Sequence, residues 1–309
     1  MLISICVATY KRPDDLKRLL KGFEDLTFDQ IDAPEIEIVI VDNDASGSAR
    51  SLIDEVALTF KYPLRYDIET QQGVSYARNR TIANSSDETD FIAIMDDDEI
   101  PDRNWLENLL IVQEKYEADV VAGPVIPYFE SDVDVPDWIN KGKFFAPKHY
   151  PTGQIMDVAY TNNVLVRSKL LKQLETVFDE RFAIQGSEDT HLFMQLHKQG
   201  AKIVWADEAR VRERVPQSRI SLTWLLERGY WGWSARSLFE RELYPSLYIQ
   251  GTRFIKGCVL VAIGIVSIPI ALFRGQYAVN QALLSIWRGA GTLSGLLGIM
   301  GSGWTKAER

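Results

Sequence analysis

Over its first 96 residues the chain alternates β-rich runs with helix-like runs, and that alternation restricts it to very few folds. "LISICVATY", "EIEIVIVDNDAS", "LRYDIE" and "DFIAIM" have the apolar, β-branched density of strands. Between them, "RPDDLKRLLKGF" repeats leucine at helical spacing after a Pro-Asp start, and "SARSLIDEVALTF" reads as a second helix. A third, "QGVSYARNRTIANS", is entered through Gly73 and Ser75. Successive β-α-β units need crossover connections, which put parallel strands in one sheet with helices on both faces. The expectation is an α/β fold with a doubly wound, mainly parallel sheet. In such sheets ligands gather beyond the carboxyl ends of the strands.

Just beyond the fourth run, "AIMDDDEIPD" sets Asp96, Asp97, Asp98 and Glu99 side by side. Carboxylates this close repel one another unless a pKa rises or a cation sits among them, and hard divalent cations take oxygen ligands of this kind. An acidic surface loop is the plain alternative in a chain with 43 Asp and Glu among 309 residues. The position after a buried strand favours a metal site.

Two cysteines, Cys6 and Cys258, and three histidines supply neither a disulfide framework nor a thiolate or histidine zinc site. The net charge of -9 is unevenly divided: from Pro216 onward the balance is +6, and the part before it carries -15. An acidic front is a poor nucleic-acid binder, while a basic, apolar tail suits an anionic membrane surface. "MLISICVATYKRP" runs straight into a strand and turn and does not read as a secretory signal, so the catalytic part is expected to be cytoplasmic.

After Trp105 the pattern becomes mixed. "NWLENLLIVQEKYEA" reads as a helix, "DVVAGPVIPYF" as a strand broken by prolines, and Ser131 to Thr152 as a long, lid-like loop. "AYTNNVLVRSKLL" returns to strand and helix, and "GSEDTHLFMQLHKQGAKIVWAD" gives a helix closed by Gly200 and a further strand. Trp224, Trp231 and Trp233 then stand among arginines, a mixture found at membrane interfaces and partner surfaces. Gly257 to Phe273 is a 17-residue run without a charge, between Lys256 and Arg274. At about 1.5 Å per residue it reaches roughly 26 Å, just short of a hydrocarbon core of about 30 Å. A span, a re-entrant hairpin and a buried helix therefore all stay open. The second apolar stretch, Ala282 to Met300, holds Arg288 and a Gly291, Gly295 spacing that permits close helix contact.

"VATYKRP", "VDNDAS", "QGVSYARN", "IMDDDE" and "GSED" occur in the order and at roughly the spacing of the family 2 glycosyltransferases, which the chain resembles over residues 1 to 215. It looks most like the bacterial exopolysaccharide and lipid-linked-glycan transferases of that family, which have a GT-A fold. The resemblance implies nucleotide binding by Thr9, Tyr10 and Arg12; an arginine at the end of a first strand is also physically suited to a diphosphate. It places Asp42 on the nucleobase or ribose, and Gly73 and Arg78 in the family's G-x-x-x-x-A-R-N pattern near the nucleotide. "DDD" matches the D-x-D motif, with Asp96 toward ribose and metal, Asp98 as direct ligand of Mn2+ or Mg2+, and Asp97 beside them. The "ED" pair implies Asp189 as the base and Glu188 as a residue that orients the acceptor. The arginine-rich stretch after it offers Arg219 near the diphosphate. Asn43 and Asp44 are read only as turn residues, and Asp97 and Glu99 as supporting or exposed. The Q-x-x-R-W motif of processive synthases is missing, which favours transfer of a single sugar.

The expected division is a GT-A domain over 1–215, with a nucleotide-binding half to about 104 and an acceptor half over 105–215, followed by a helical membrane-association region over 216–309. The expected partners are a nucleotide-sugar donor, a UDP-sugar first, a polyprenyl-diphosphate-linked glycan acceptor and the membrane surface, with no nucleic acid. The expected location is the cytoplasmic face of the inner membrane. Self-association through the Gly/Trp-rich helices stays open. A sugar nucleotidyltransferase and a catalytically silent membrane scaffold are the alternatives; the former usually carries a glycine-rich loop near the N-terminus, and "VATYKRP" has no glycine.

Overall fold

The structure is a computed structural model that describes residues 1–131 and 133–301. Asp132, in the expected loop, and residues 302–309, at the end of the expected membrane region, lie outside the described residues. The first part is the alternation read from the sequence: β1 (Leu2–Thr9), α1 (Pro13–Glu24), β2 (Glu35–Asp42), α2 (Arg50–Val56), β3 (Leu64–Ile68), α3 (Val74–Asn84) and β4 (Phe91–Asp96). In α1, Pro13 sits in the first turn with Asp14 and Asp15, and Lys21 in the last, which suits the helix dipole. Leu16, Leu19, Leu20 and Phe23 form its buried face. α2 is shorter than "SARSLIDEVALTF" suggested. Leu52 and Ile53 are its buried residues, and nothing from 54 to 60 is buried to hold further turns.

The chain continues through β5 (Glu99–Pro101), α4 (Trp105–Tyr116), β6 (Val120–Ala122), β7 (Val125–Tyr128), α5 (Asp137–Gly142), β8 (Ile155–Met156), β9 (Val164–Arg167), α6 (Ser168–Lys172), α7 (Glu188–Lys198), β10 (Ile203–Trp205) and β11 (Val211–Arg214). It ends in α8 (Leu222–Leu243), α9 (Leu247–Arg274) and α10 (Gln276–Leu296). Eight strands form one sheet in the order β3-β2-β1-β4-β9-β6-β10-β8. β3, β2, β1 and β4 are parallel, β9 is antiparallel to both β4 and β6, and β10 returns parallel to β6. A second sheet has the order β5-β11-β7. "DVVAGPVIPYF" thus supplies two strands to two sheets: Gly123 and Pro124 interrupt it, and Gly123 lies so close to the Ala209 carbonyl that no side chain fits.

Two compact units result. One comprises Met1–Tyr128, Pro147–Ile184 and Leu192–Arg214; the other comprises Phe129–Ala146, Gln185–His191 and the chain from Val215 onward. The long segment of the second starts one residue before the division expected at 216 and is joined by the two shorter ones. In the first unit, Ile3, Ile5 and Val7 of β1 and Ile36, Ile38 and Ile40 of β2 are buried with Leu16, Phe23 and Trp105. Each such side chain contributes about 1.5–3 kcal/mol. The Trp105 indole N–H donates to Asn163 Oδ1 at 2.7 Å, and the Asn163 amide donates to the Pro124 and Ala209 carbonyls.

The second unit corrects two expectations. The stretch read as one long loop, Ser131 to Thr152, is interrupted by α5, and in the part of it that belongs to this unit Ile139 packs with Val215 and Ile220 beside Phe129, Trp138 and Phe145. Phe145 also stacks on Trp224, 5.8 Å between centroids at 18°. Its aromatic residues, which showed no period, serve a side-chain cluster and not a regular element. α9 is 28 residues long and not 17, because Arg253 and Lys256 lie within its first turns. Gly291 and Gly295 of α10 are used within the chain, where a Cβ would collide with the Tyr230 and Ser234 carbonyls of α8.

Candidate active site

Strand register brings the first group of predicted residues together. Thr9 pairs with Asp42 across β1 and β2, and Ala8 pairs with Asp96 across β1 and β4. Three neighbouring parallel strands therefore present Asp42, Thr9 and Asp96 at their carboxyl ends. Asp97 and Asp98 form the turn from β4 into β5, where the chain passes from one sheet to the other.

Two arginines compensate the acidic turn. Arg12, just before α1, donates through Nη1 to Asp98 at 2.9 Å and to Asp97 at 3.3 Å. Arg78, on the buried face of α3, donates to Asp96 at 2.5 Å, with its guanidinium 6.0 Å from the Phe178 ring. Thr9 Oγ1 donates to Asp97 at 2.8 Å. Asp97 is buried, which pushes its carboxyl up to about 7 against the opposing pull of Arg12. Glu99 is 1 % exposed, accepts the Asp96 backbone N–H at 3.0 Å, and is raised well above the ordinary range by burial and then by Asp96 and Glu213. Asp97 and Glu99 are thus interior groups and not exposed ones, and the quoted motif gave no signal of that difference.

Asp42 is fully buried. Its carboxylate accepts from the Ala49 and Asp44 amides at 2.8 and 2.9 Å, from Tyr66 Oη at 3.1 Å and from Ser48 Oγ at 3.3 Å. Burial, with Asp42 beside it, pushes the Tyr66 hydroxyl up. Asp42 therefore anchors the 44–49 turn. Asn43 has a larger structural part than its turn-residue reading: its amide donates to the Glu69 and Gln71 carbonyls at 3.0 and 2.8 Å, and its Oδ1 accepts the Gly73 N–H at 2.8 Å. Asn43 ties the end of β2 to the loop that enters α3. Gly73 has φ +147, and a Cβ there would lie 2.7 Å from the Ala183 Cβ and 3.1 Å from its carbonyl oxygen. Tyr10 accepts from Gln72 Nε2 at 3.3 Å, with Lys11 5.0 Å from its ring.

The other predicted residues belong to the second unit. Glu188, 2 % exposed, and Asp189 open α7, which passes into the first unit at Leu192. Gly186 and Ser187 precede them with φ +77 and +70, a left-handed pair that turns the chain into the helix. Asp189 Oδ1 accepts from the Thr190 N–H at 2.6 Å. Carboxylates in a first turn also suit the helix dipole. Arg219 sits in a short 3-10 turn, 5.9 Å from the Trp224 ring.

No group of three or more His, Cys, Asp or Glu side chains that could hold a metal occurs among the described residues. Asp96, 39 % exposed at its side chain, and Asp98, 15 % exposed, are hard oxygen donors two residues apart on the same turn. That donor set fits Mg2+ or Mn2+, which bind through one or two carboxylates and complete their shells with water and substrate phosphate.

The sequence model of Glycosyl transferase family 2 matches residues 4–174, and that of Glycosyl transferase family group 2 matches residues 91–305. The chain belongs to glycosyltransferase family 2. Within this family it is 30% identical over 303 residues to the succinoglycan biosynthesis protein ExoM of Rhizobium meliloti, covering 96% of this chain and 93% of the relative. A glucosyl-dolichyl phosphate glucuronosyltransferase of Haloferax volcanii is 22% identical, with 84% of each chain covered. The mannosyltransferase PcManGT of Pyrobaculum calidifontis, solved with GDP-Man and Mn2+, superposes with a TM-score of 0.62 at 16% identity, over 96% of this chain and 87% of that one. The fold of this family 2 glycosyltransferase is GT-A, with a mostly parallel mixed sheet and a helical C-terminal region. One described helix, α9, is long and apolar enough to cross a membrane.

Proposed function

We propose that this glycosyltransferase is inverting and metal-dependent, and that it moves one sugar from a nucleotide-sugar to a polyprenyl-diphosphate-linked glycan during exopolysaccharide assembly at the cytoplasmic face of the inner membrane. The observation that carries the proposal is the register that aligns Thr9, Asp42 and Asp96, with Arg12 and Arg78 bonded to the Asp96–Asp98 turn. A UDP-sugar is the first donor to try. The GDP-Man and Mn2+ bound by the structural neighbour support a nucleoside-diphosphate sugar and a divalent ion, the succinoglycan relative supports exopolysaccharide assembly, and the dolichyl phosphate in the name of the other relative supports a lipid carrier.

Asp98 and Asp96 would hold Mn2+ or Mg2+, which supplies charge neutralisation at the leaving diphosphate. Thr9, Tyr10, Gly73 and Asp97 shape the nucleotide side of the site, while Asp42 acts through the turn that it anchors. Arg12 and Arg78 orient the acidic turn and meet the diphosphate, and Arg219 adds positive charge. Asp189 takes the proton of an acceptor hydroxyl as that oxygen bonds to the anomeric carbon. The anomeric carbon–oxygen bond to the diphosphate breaks on the opposite face, so configuration inverts and the nucleoside diphosphate leaves. Glu188 orients the acceptor.

Two variants separate these roles. Asp189→Asn is expected to keep donor affinity and lose about 10²–10⁴-fold in turnover, the range for loss of a general base. Asp98→Asn is expected to lose metal-dependent donor binding. Full turnover by Asp189→Asn removes it as the base.

A further inference from the structure

The second unit carries an apolar face that no described segment covers. Ile255, Val259, Ile263, Val266, Ile270 and Phe273 follow one another along α9 at intervals of three and four, one helical stripe, and each is at least 47% exposed. On the opposite side Gly257, Gly264 and Ala271 are buried. Uninterrupted apolar surface of this kind marks a contact with a membrane or a partner.

The neighbours of α9 decide how a bilayer meets it. α9 and α10 are packed antiparallel, with Gly257 facing Gly289 and Gly264 facing Ala282, so the two helices enter or stay out together. α10 is covered along much of its length, Trp287 being its exposed large apolar residue. α8 lies against it through Gly229, which meets Leu284, and through Tyr230 Oη, 2.7 Å from Ser294 Oγ. Near its other end Gln281 Nε2 donates to the Gly142 carbonyl of α5 at 3.1 Å. The surface of α5 is charged: the Asp137 and Lys141 side chains are 89% and 64% exposed and pair at 3.0 Å. Gln281 stands only about 9 Å of helix from the hairpin tip at Gly275. A hairpin that crossed the membrane would drag α5 and its charges into or through the hydrocarbon, which is strongly unfavourable.

We infer that α9 lies in the plane of an anionic membrane interface, with the Ile255–Phe273 stripe in the headgroup–acyl boundary and α10 and α5 on the aqueous side. This inference rests on the membrane association proposed above and gives it a geometry: contact with one leaflet and no crossing. Charge complementarity selects the occupant: Arg274 ends the stripe, Lys256 stands beside its first residue with the ammonium 4.9 Å from the Trp233 ring of α8, and the chain from Pro216 onward has a balance of +6.

The test uses the full chain with Cys258→Ser and one new cysteine by Ile255→Cys, Val266→Cys or Phe273→Cys, labelled with an environment-sensitive fluorophore. Cys6 is fully buried and stays unlabelled. The labelled chain is reconstituted from detergent into sealed phosphatidylethanolamine–phosphatidylglycerol vesicles or phosphatidylcholine vesicles. The expected result is flotation with the anionic vesicles at least tenfold above the neutral ones, and one shallow quenching depth for all three probes. A probe at 273 reachable only from the lumen, or a probe at 266 deeper than both ends, overturns the in-plane geometry while leaving membrane association intact. No flotation with either vesicle overturns membrane association itself, and a lipid-free dimer that shields the probes assigns the stripe to a second copy of the chain.

Discussion

The Arg78 guanidinium donates to the Asp96 carboxylate at 2.5 Å from a position where only 10% of the arginine side chain reaches solvent. A lysine lacks the planar fork that holds such a carboxylate, and an apolar residue leaves Asp96 without this partner. Hydrogen bonds to charged groups contribute about 1.5–3 kcal/mol. We predict that Arg78→Lys weakens donor binding roughly tenfold with an unchanged circular dichroism spectrum, and that Arg78→Met weakens it further; titration calorimetry with the donor checks both. Equal affinity in all three proteins would remove Arg78 from the nucleotide site.

Asn43 holds three backbone groups of the 69–73 loop. Asn43→Ala releases all of them, and the prediction is a loss of about 2 kcal/mol in unfolding free energy, measured by urea denaturation. Asn43→Asp keeps the acceptor for Gly73 but sets a buried carboxylate oxygen against the Glu69 and Gln71 carbonyls, so at neutral pH it costs at least as much as alanine.

Gly73→Ala is expected to cost more than an ordinary Gly→Ala change, because φ +147 and the Ala183 contact both oppose a side chain. The measurement is thermal denaturation, with Gly200→Ala as the control: Gly200 also has a positive φ, +96, but open space around it. A smaller melting loss at Gly73 than at Gly200 would contradict the steric part of the account.

The two units were legible to different depths. The βα alternation, the parallel sheet and the clustering of Thr9, Asp96 and Arg12 beyond strand ends follow from dense apolar, β-branched runs and the polar residues after them. The burial of Glu99 was not legible, because β5 joins a different sheet from β4 and lies across from Glu213 of β11, more than a hundred residues away. Asn43 read as a turn because its partners are backbone carbonyls, which leave no mark on sequence. The extent of α9 was hidden by Arg253 and Lys256: Arg253 pairs with Glu240 of α8, a compensation that an uncharged-run criterion does not see.

Asp97 gives a pH dependence of defined sign. Its carboxyl is pushed up to about 7 in the fold from an ordinary value of 3.8, so the folded chain holds the proton more tightly than the unfolded one. The stability this contributes is fully present below about pH 4 and is lost as pH rises through about 7, a change of roughly 4 kcal/mol at most. Between pH 5 and pH 8 the ligand-free protein should lose stability, and Asp97→Asn should flatten that slope. An unchanged slope in the variant would place the titration elsewhere.

The two thiols should react very differently. Burial pushes Cys6 up to about 12, whereas Cys258 is exposed on α9. N-Ethylmaleimide is predicted to modify one thiol in the folded chain and both after denaturation, as read by mass spectrometry.

Metal-dependent sugar transfer is tested by nucleotide release from the detergent-solubilised full-length protein across UDP-, GDP- and dTDP-sugars, with Mn2+ or with a chelator. The expected result is release of a nucleoside diphosphate from one donor that stops on chelation and is lost in Asp98→Asn. Release of pyrophosphate, or turnover unaffected by the chelator, would contradict it.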